Sequence, residues 1–172
     1  VNTIQQLFNS KNISAEVLLN KKASETNLKA NNLRDYSLVH LATHGIVDEN
    51  NPELSRIYLQ SDSEAEDGKL FSGEIYNLHL NASLVTLSAC QTGLGKISKG
   101  EGVIGLSRAL VYAGAKNIIV SFWSVADEST AVLMTDFYQL LLEKSSSDYS
   151  RKLQQAKLKM INSKYAAPYY WA

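Results

Sequence analysis

Leu38-Val-His-Leu-Ala-Thr-His-Gly45 and Leu84-Val-Thr-Leu-Ser-Ala-Cys90 decide how this chain reads, because each is a short apolar run that breaks off at a chemically active residue. Such runs suit strands buried on both faces. Asn117-Ile-Ile-Val-Ser-Phe122 is a third run of the same kind. Around them, apolar residues recur at helical spacing: Val103, Leu106 and Leu110, then Leu133, Met134, Phe137 and Leu141, then Leu153, Ala156 and Met160. Strands alternating with helices predict an α/β fold, a mostly parallel sheet covered on both sides.

Upstream of these runs, Ile4, Leu7 and Phe8 predict an opening helix, residues 13–19 a short strand, and residues 24–33 a helix turning Leu28 and the aliphatic stem of Lys29 inward. Residues 48–70 break the rhythm with Pro52, a small apolar patch at Ile57-Tyr-Leu59 and the acidic stretch Ser61-Asp-Ser-Glu-Ala-Glu-Asp-Gly68. They predict a surface hairpin with a mobile acidic tip beside the site.

The 172 residues carry 17 Lys+Arg and 17 Asp+Glu, with 45% hydrophobic side chains. This balance argues against a nucleic-acid partner bound through bulk charge. The length suits one domain, residues 1–172, able to bury roughly 70% of its unfolded surface. Cys90 is the single cysteine, so no intrachain disulfide and no oxidising compartment is implied. No apolar run approaches the ~18 residues of a membrane span, and residues 1–10 lack the order of a signal peptide. The expectation is a soluble, cytoplasmic protein with no membrane partner.

Ligands and catalytic groups of parallel α/β sheets gather outside the carboxyl ends of strands. If the first two runs are neighbouring strands, His44 and Cys90 face one crevice. A free thiol of pKa ~8.5 is only slightly ionised at neutral pH, and an adjacent imidazole can take its proton or stabilise the thiolate. The backbone N–H groups of Gly45 and Cys90 would then be placed to hold an oxyanion. The alternative is a buried, inert Cys90 and a hydrogen-bonded loop His44.

Other patterns carry less. Gly100-Glu-Gly-Val-Ile-Gly105 matches a dinucleotide fingerprint, yet some ten residues separate it from the preceding strand and no acid stands about 20 residues on. His40 and His44 would lie roughly 13 Å apart along a strand, too far to share a metal. His40 reads as a core histidine, and neither a metal nor a cofactor is expected. The sequons at Asn12 and Asn81 carry no weight without a secretion signal.

At residues 38–45 and Leu87-Ser-Ala-Cys-Gln-Thr-Gly93 the sequence resembles the CHAT family, caspase-like domains of bacteria often fused behind tetratricopeptide repeats. The resemblance runs on through Gly100-Glu-Gly102, Ala113-Gly-Ala115, Phe122-Trp-Ser-Val-Ala-Asp127 and Pro168-Tyr-Tyr-Trp-Ala172, spanning residues 38–172. It implies a caspase-like three-layer sandwich, here lacking its first and last strands, in a fragment of a longer protein. It also implies a cysteine endopeptidase with His44 and Cys90 as the dyad. A protein or peptide would be the substrate, and a tetratricopeptide-repeat or other sensor region in the same chain would regulate it. The alternative is a catalytically silent caspase-like interaction domain. In separases, a similar tryptophan-to-aspartate run lines a pocket for a basic side chain, which implies a substrate-binding role for Asp127. Ser124-Val-Ala-Asp127 reads equally as the start of the next helix, where an acid complements the helix dipole.

Overall fold

In the computed structural model each of the three apolar runs forms a strand: β1 Leu38–Leu41, β5 Leu84–Leu87 and β6 Ile118–Val120. The structure describes residues 1–48, 50–63, 66–88, 102–121, 123, 125–143 and 148–171. Among them, these strands make a parallel sheet in the order β1-β5-β6, with Leu38 opposite Leu84, Leu41 opposite Leu87, and Leu87 opposite Val120. All four residues of β5 are buried, as a central strand covered on both faces requires.

Parallel neighbours need a crossover connection. Between β5 and β6 it contains α4 (Gly102–Tyr112), whose Leu106, Ala109 and Leu110 join Val85 and Leu87 in the core. The helix ends in a Schellman motif, in which the Ala115 N–H reaches back to the Leu110 carbonyl at 3.0 Å. Gly114 turns the chain there with φ +116°, and a Cβ at this position would stand 2.2 Å from the Leu80 carbonyl oxygen. Only glycine fits.

The connection from β1 to β5 is a second sheet. β2 (Gly45–Ile46), β3 (Arg56–Tyr58) and β4 (Lys69–Phe71) pair antiparallel in that order, and α3 (Ser72–Ile75) follows. The expected hairpin is therefore present; Glu64 and Ala65 at the tip of its acidic loop lie outside the described residues, and the residues flanking them, Asp62 and Glu66, are bonded to Thr26 and Lys29. The hairpin lies against α2 (Glu25–Ala30): the Thr26 hydroxyl donates to Asp62 at 2.8 Å, and the Gln60 N–H donates to the Ala23 carbonyl at 2.9 Å. Ser24 caps α2 by accepting the Asn27 N–H.

The chain divides into two units, Leu18–Ser124, which holds both sheets, and Val1–Val17 together with Val125–Ala172. In the second unit α1 (Asn2–Asn9), α5 (Asp127–Glu143) and α6 (Tyr149–Ile161) pack together, with Phe8 edge-on to Tyr138 and Tyr138 edge-on to Phe137. Residues 13–19, expected as a strand, form none: Ile13 is exposed and the stretch enters no ladder among the described residues. An apolar run becomes a strand only where a sheet edge is there to pair with it.

Candidate functional site

The carboxyl ends of β1 and β5 are joined to the last residue. The Ser88 N–H donates to the Leu41 carbonyl at 3.0 Å, and the Ser88 hydroxyl lies 2.9 Å from His40 Nε2. Burial pushes His40 down to about 4, so its imidazole is neutral across the physiological range. His40 is thus the hydrogen-bonded sheet histidine that its position predicts.

His44 follows Leu41 by three residues and is exposed. Its backbone is gripped by β3. The Tyr58 N–H donates to the His44 carbonyl at 2.8 Å, and the Thr43 hydroxyl donates to the Tyr58 carbonyl. The first of these bonds makes Gly45 and Ile57, which face each other in the register, a non-hydrogen-bonded pair. In such a pair both N–H groups point away from the partner strand, so the β2–β3 ladder leaves the Gly45 N–H unused. Gly45 itself is buried. An exposed imidazole and a backbone N–H thus leave the C-terminal end of β1 on adjacent residues.

Cys90 lies outside the described residues, two positions after Ser88. Gly100, Glu101, Phe122 and Ser124, which belong to the other sequence motifs, lie outside them as well. Asp127 belongs to the helical unit, where it is exposed and is the first residue of α5, with Glu128 beside it in the first turn. That position favours an acid through the helix dipole. The structure therefore brings His44 and Gly45 together, while Asp127 is described only within its own unit.

One cluster escaped the sequence reading. Lys29 was expected to contribute its aliphatic stem, yet its ammonium binds three carboxylates, Glu25 at 2.8 Å, Glu66 at 2.6 Å and Glu74 at 2.8 Å. Glu25 is 1% exposed, and its carboxyl is raised above the usual range by that burial, against the pull of Lys29. Burial alone would lower Lys29, but the hydrogen bonds to the three acids outweigh it and hold the ammonium well above its ordinary range. The Glu25-x-x-x-Lys29 spacing on a helix was the available signal. Among the described residues these three acids alone stand close enough, within 4.8 Å, to share a metal ion, and the Lys29 ammonium occupies their centre.

Among the described residues no helix is long and apolar enough to cross a membrane. The chain is similar to tetratricopeptide repeat protein 28 of Mus musculus, 30% identical over 104 residues. It is also similar to tetratricopeptide repeat protein 28 of Homo sapiens, 32% identical over 104 residues. Each match covers 60% of this chain and 4% of the relative, so the chain spans a small part of those proteins. Along its whole length, residues 1–172, it matches the CHAT domain. A parallel sheet with histidine-glycine at the end of one strand and serine-alanine-cysteine after its neighbour is thus found in a chain that belongs to the CHAT domain family.

Proposed function

We propose that this chain is a cysteine endopeptidase domain, a caspase-like three-layer sandwich within a longer protein, in which Cys90 attacks the scissile carbonyl and His44 moves the proton. The observation that supports this most is the pairing of β1 with β5. Ser88 is bonded to Leu41 at the strand ends, Cys90 follows two residues later and His44 three residues after Leu41. At ~3.3–3.6 Å per residue, both residues are within about 11 Å of backbone from one shared hydrogen bond.

In the proposed reaction the thiolate of Cys90 adds to the carbonyl carbon of a peptide bond. The Gly45 N–H, together with that of Cys90, stabilises the tetrahedral oxyanion. The imidazolium of His44 then protonates the leaving amine, and water, deprotonated by the same imidazole, releases the acid product. Asp127 contributes a carboxylate for a basic substrate side chain, for which an Arg guanidinium offers a matching bidentate fork. The similarity to tetratricopeptide repeat proteins supports a repeat region in the same chain; in this reading that region governs access of the protein substrate.

Endopeptidase activity of the longer protein carrying Cys90→Ala tests this reading. The variant is expected to keep its fold and to lose activity about a thousand-fold or more, as nucleophile loss normally costs. Activity above that level would exclude the covalent mechanism, and absence of activity in the wild type would favour a silent interaction domain. Asp127→Asn should weaken cleavage after Arg or Lys about ten-fold with little change in stability. A loss of about 1 kcal/mol in stability with unchanged preference would make Asp127 a helix-terminal acid alone.

A further inference from the structure

The Lys29 cluster is joined to the backbone that carries His44 by a short run of hydrogen bonds. Each acid that binds Lys29 also holds a part of the hairpin following His44. Glu25 Oε2 accepts the Gly68 N–H at 3.1 Å, and Glu74 Oε2 accepts the Phe71 N–H at 3.0 Å. Glu66 is itself in the hairpin loop, and its N–H donates to the Ser63 hydroxyl at 2.9 Å. Gly68, in a left-handed conformation with φ +82°, accepts the Leu59 N–H at 2.8 Å. The next residue back is Tyr58, which holds the His44 carbonyl with its N–H and the Thr43 hydroxyl with its carbonyl. Leu59 alone separates the clasped end of the hairpin from the mount of His44.

We propose that Lys29 is a positioning residue for His44: by binding Glu25, Glu66 and Glu74 together it clasps the β3–β4 hairpin to α2 and fixes the backbone on which Thr43, His44 and Gly45 are held. The inference rests on the reading of His44 as a functional residue, and it adds a set of residues remote from the strand ends. Its physical basis is the balance of charge in one place. Three carboxylates, one of them fully buried, meet a single ammonium. Removing the ammonium leaves like charges facing each other at the edge of the solvent, with Glu25 alone buried, so that they repel one another or take up a proton. Glu66 is only half-buried on a loop, so releasing that loop is the movement open to the chain. Releasing it frees Gly68, Leu59 and Tyr58 in turn.

The test compares amide hydrogen exchange and the His44 ring resonances by NMR in wild type, Lys29→Met and Lys29→Arg. In Lys29→Met the amides of Tyr58 and Gly68 are expected to exchange about ten-fold faster or more, with Val85 in β5 unchanged and the His44 resonances displaced. Lys29→Arg should recover part of this protection, because it restores the charge although a planar fork fits three carboxylates poorly. Exchange at Tyr58 within about two-fold of wild type, or His44 resonances that do not move, overturns the proposal. If Lys29→Met fails to fold, Glu66→Ala removes only the half-buried arm and decides by the same readouts. The alkylation rate of Cys90, measured alongside, separates the two ideas. A wild-type Cys90 no more reactive than a free thiol sinks the dyad, while the exchange data still judge the clasp.

Discussion

The two sheets of the Leu18–Ser124 unit are held by different forces. The parallel sheet rests on apolar burial: Leu84, Val85 and Leu87 of β5 are each at most 2% exposed, with Leu106 and Leu110 of α4 in the same core. The antiparallel sheet has strands of only two or three residues. It buries Ile57 and Leu70, but its loop and its β4 end are fastened to α2 through Lys29, Glu25, Glu66 and Glu74. Apolar burial is non-directional and is not screened by salt, whereas an ion cluster fixes one geometry and is sensitive to every charge in it. His44 stands between the two, following the strand of one sheet and bonded to the strand of the other.

The largest effect is expected on the parallel side, from Gly114→Ala. A Cβ there would meet the Leu80 carbonyl oxygen at 2.2 Å in a backbone conformation that L residues rarely adopt. The loss should be at least about 3 kcal/mol, read as a fall in Tm of about 10 °C. Leu87→Ala should cost about 2–4 kcal/mol in denaturant unfolding, since it empties a buried site at the end of β5.

Acid should act on the same sheet through His40. Its pKa is about 4 in the folded chain against an ordinary 6.5, so the unfolded chain binds the extra proton between those values. The stability that His40 contributes is full above about pH 6.5 and is lost progressively as pH falls to about 4, by roughly 3 kcal/mol. Unfolding curves of His40→Gln should lack this part of the acid slope. On the antiparallel side, Lys29→Met should cost about 2 kcal/mol, less than rupture of a fully buried pair because the lysine keeps a third of its exposure. A loss below about 0.5 kcal/mol would make the cluster an ordinary surface ion pair.

The contrast also explains what could be read from the sequence. The three parallel strands and α4, α5 and α6 were legible because burial writes itself as apolar runs and helical spacing, whereas the pairing of β1 with β5 stood only as a condition until the register showed it. Of the antiparallel sheet, the β3–β4 hairpin was legible as an interruption of the rhythm, and the pairing of β2 with it was not. Strands as short as Gly45–Ile46 and Arg56–Tyr58 hold too few residues for an alternating pattern to emerge. Residues 13–19 carried the composition of a strand without an edge to join. The role of Lys29 was hidden because two of its three acids lie 37 and 45 residues away, a separation on which local pattern is silent. The place of His44 and Gly45 just after a strand end was legible, and the grip of Tyr58 on Thr43 and His44 was not. The motif Ala113-Gly-Ala115 proves to be a helix terminus whose glycine serves the fold.

The most direct test of the proposed dyad is the pH profile of Cys90 alkylation by iodoacetamide in wild type and His44→Ala. If His44 activates Cys90, the wild type should react readily near pH 6, and the variant should require a pH close to the ~8.5 of a free thiol. Two superimposable profiles, both rising near that value, would contradict the account.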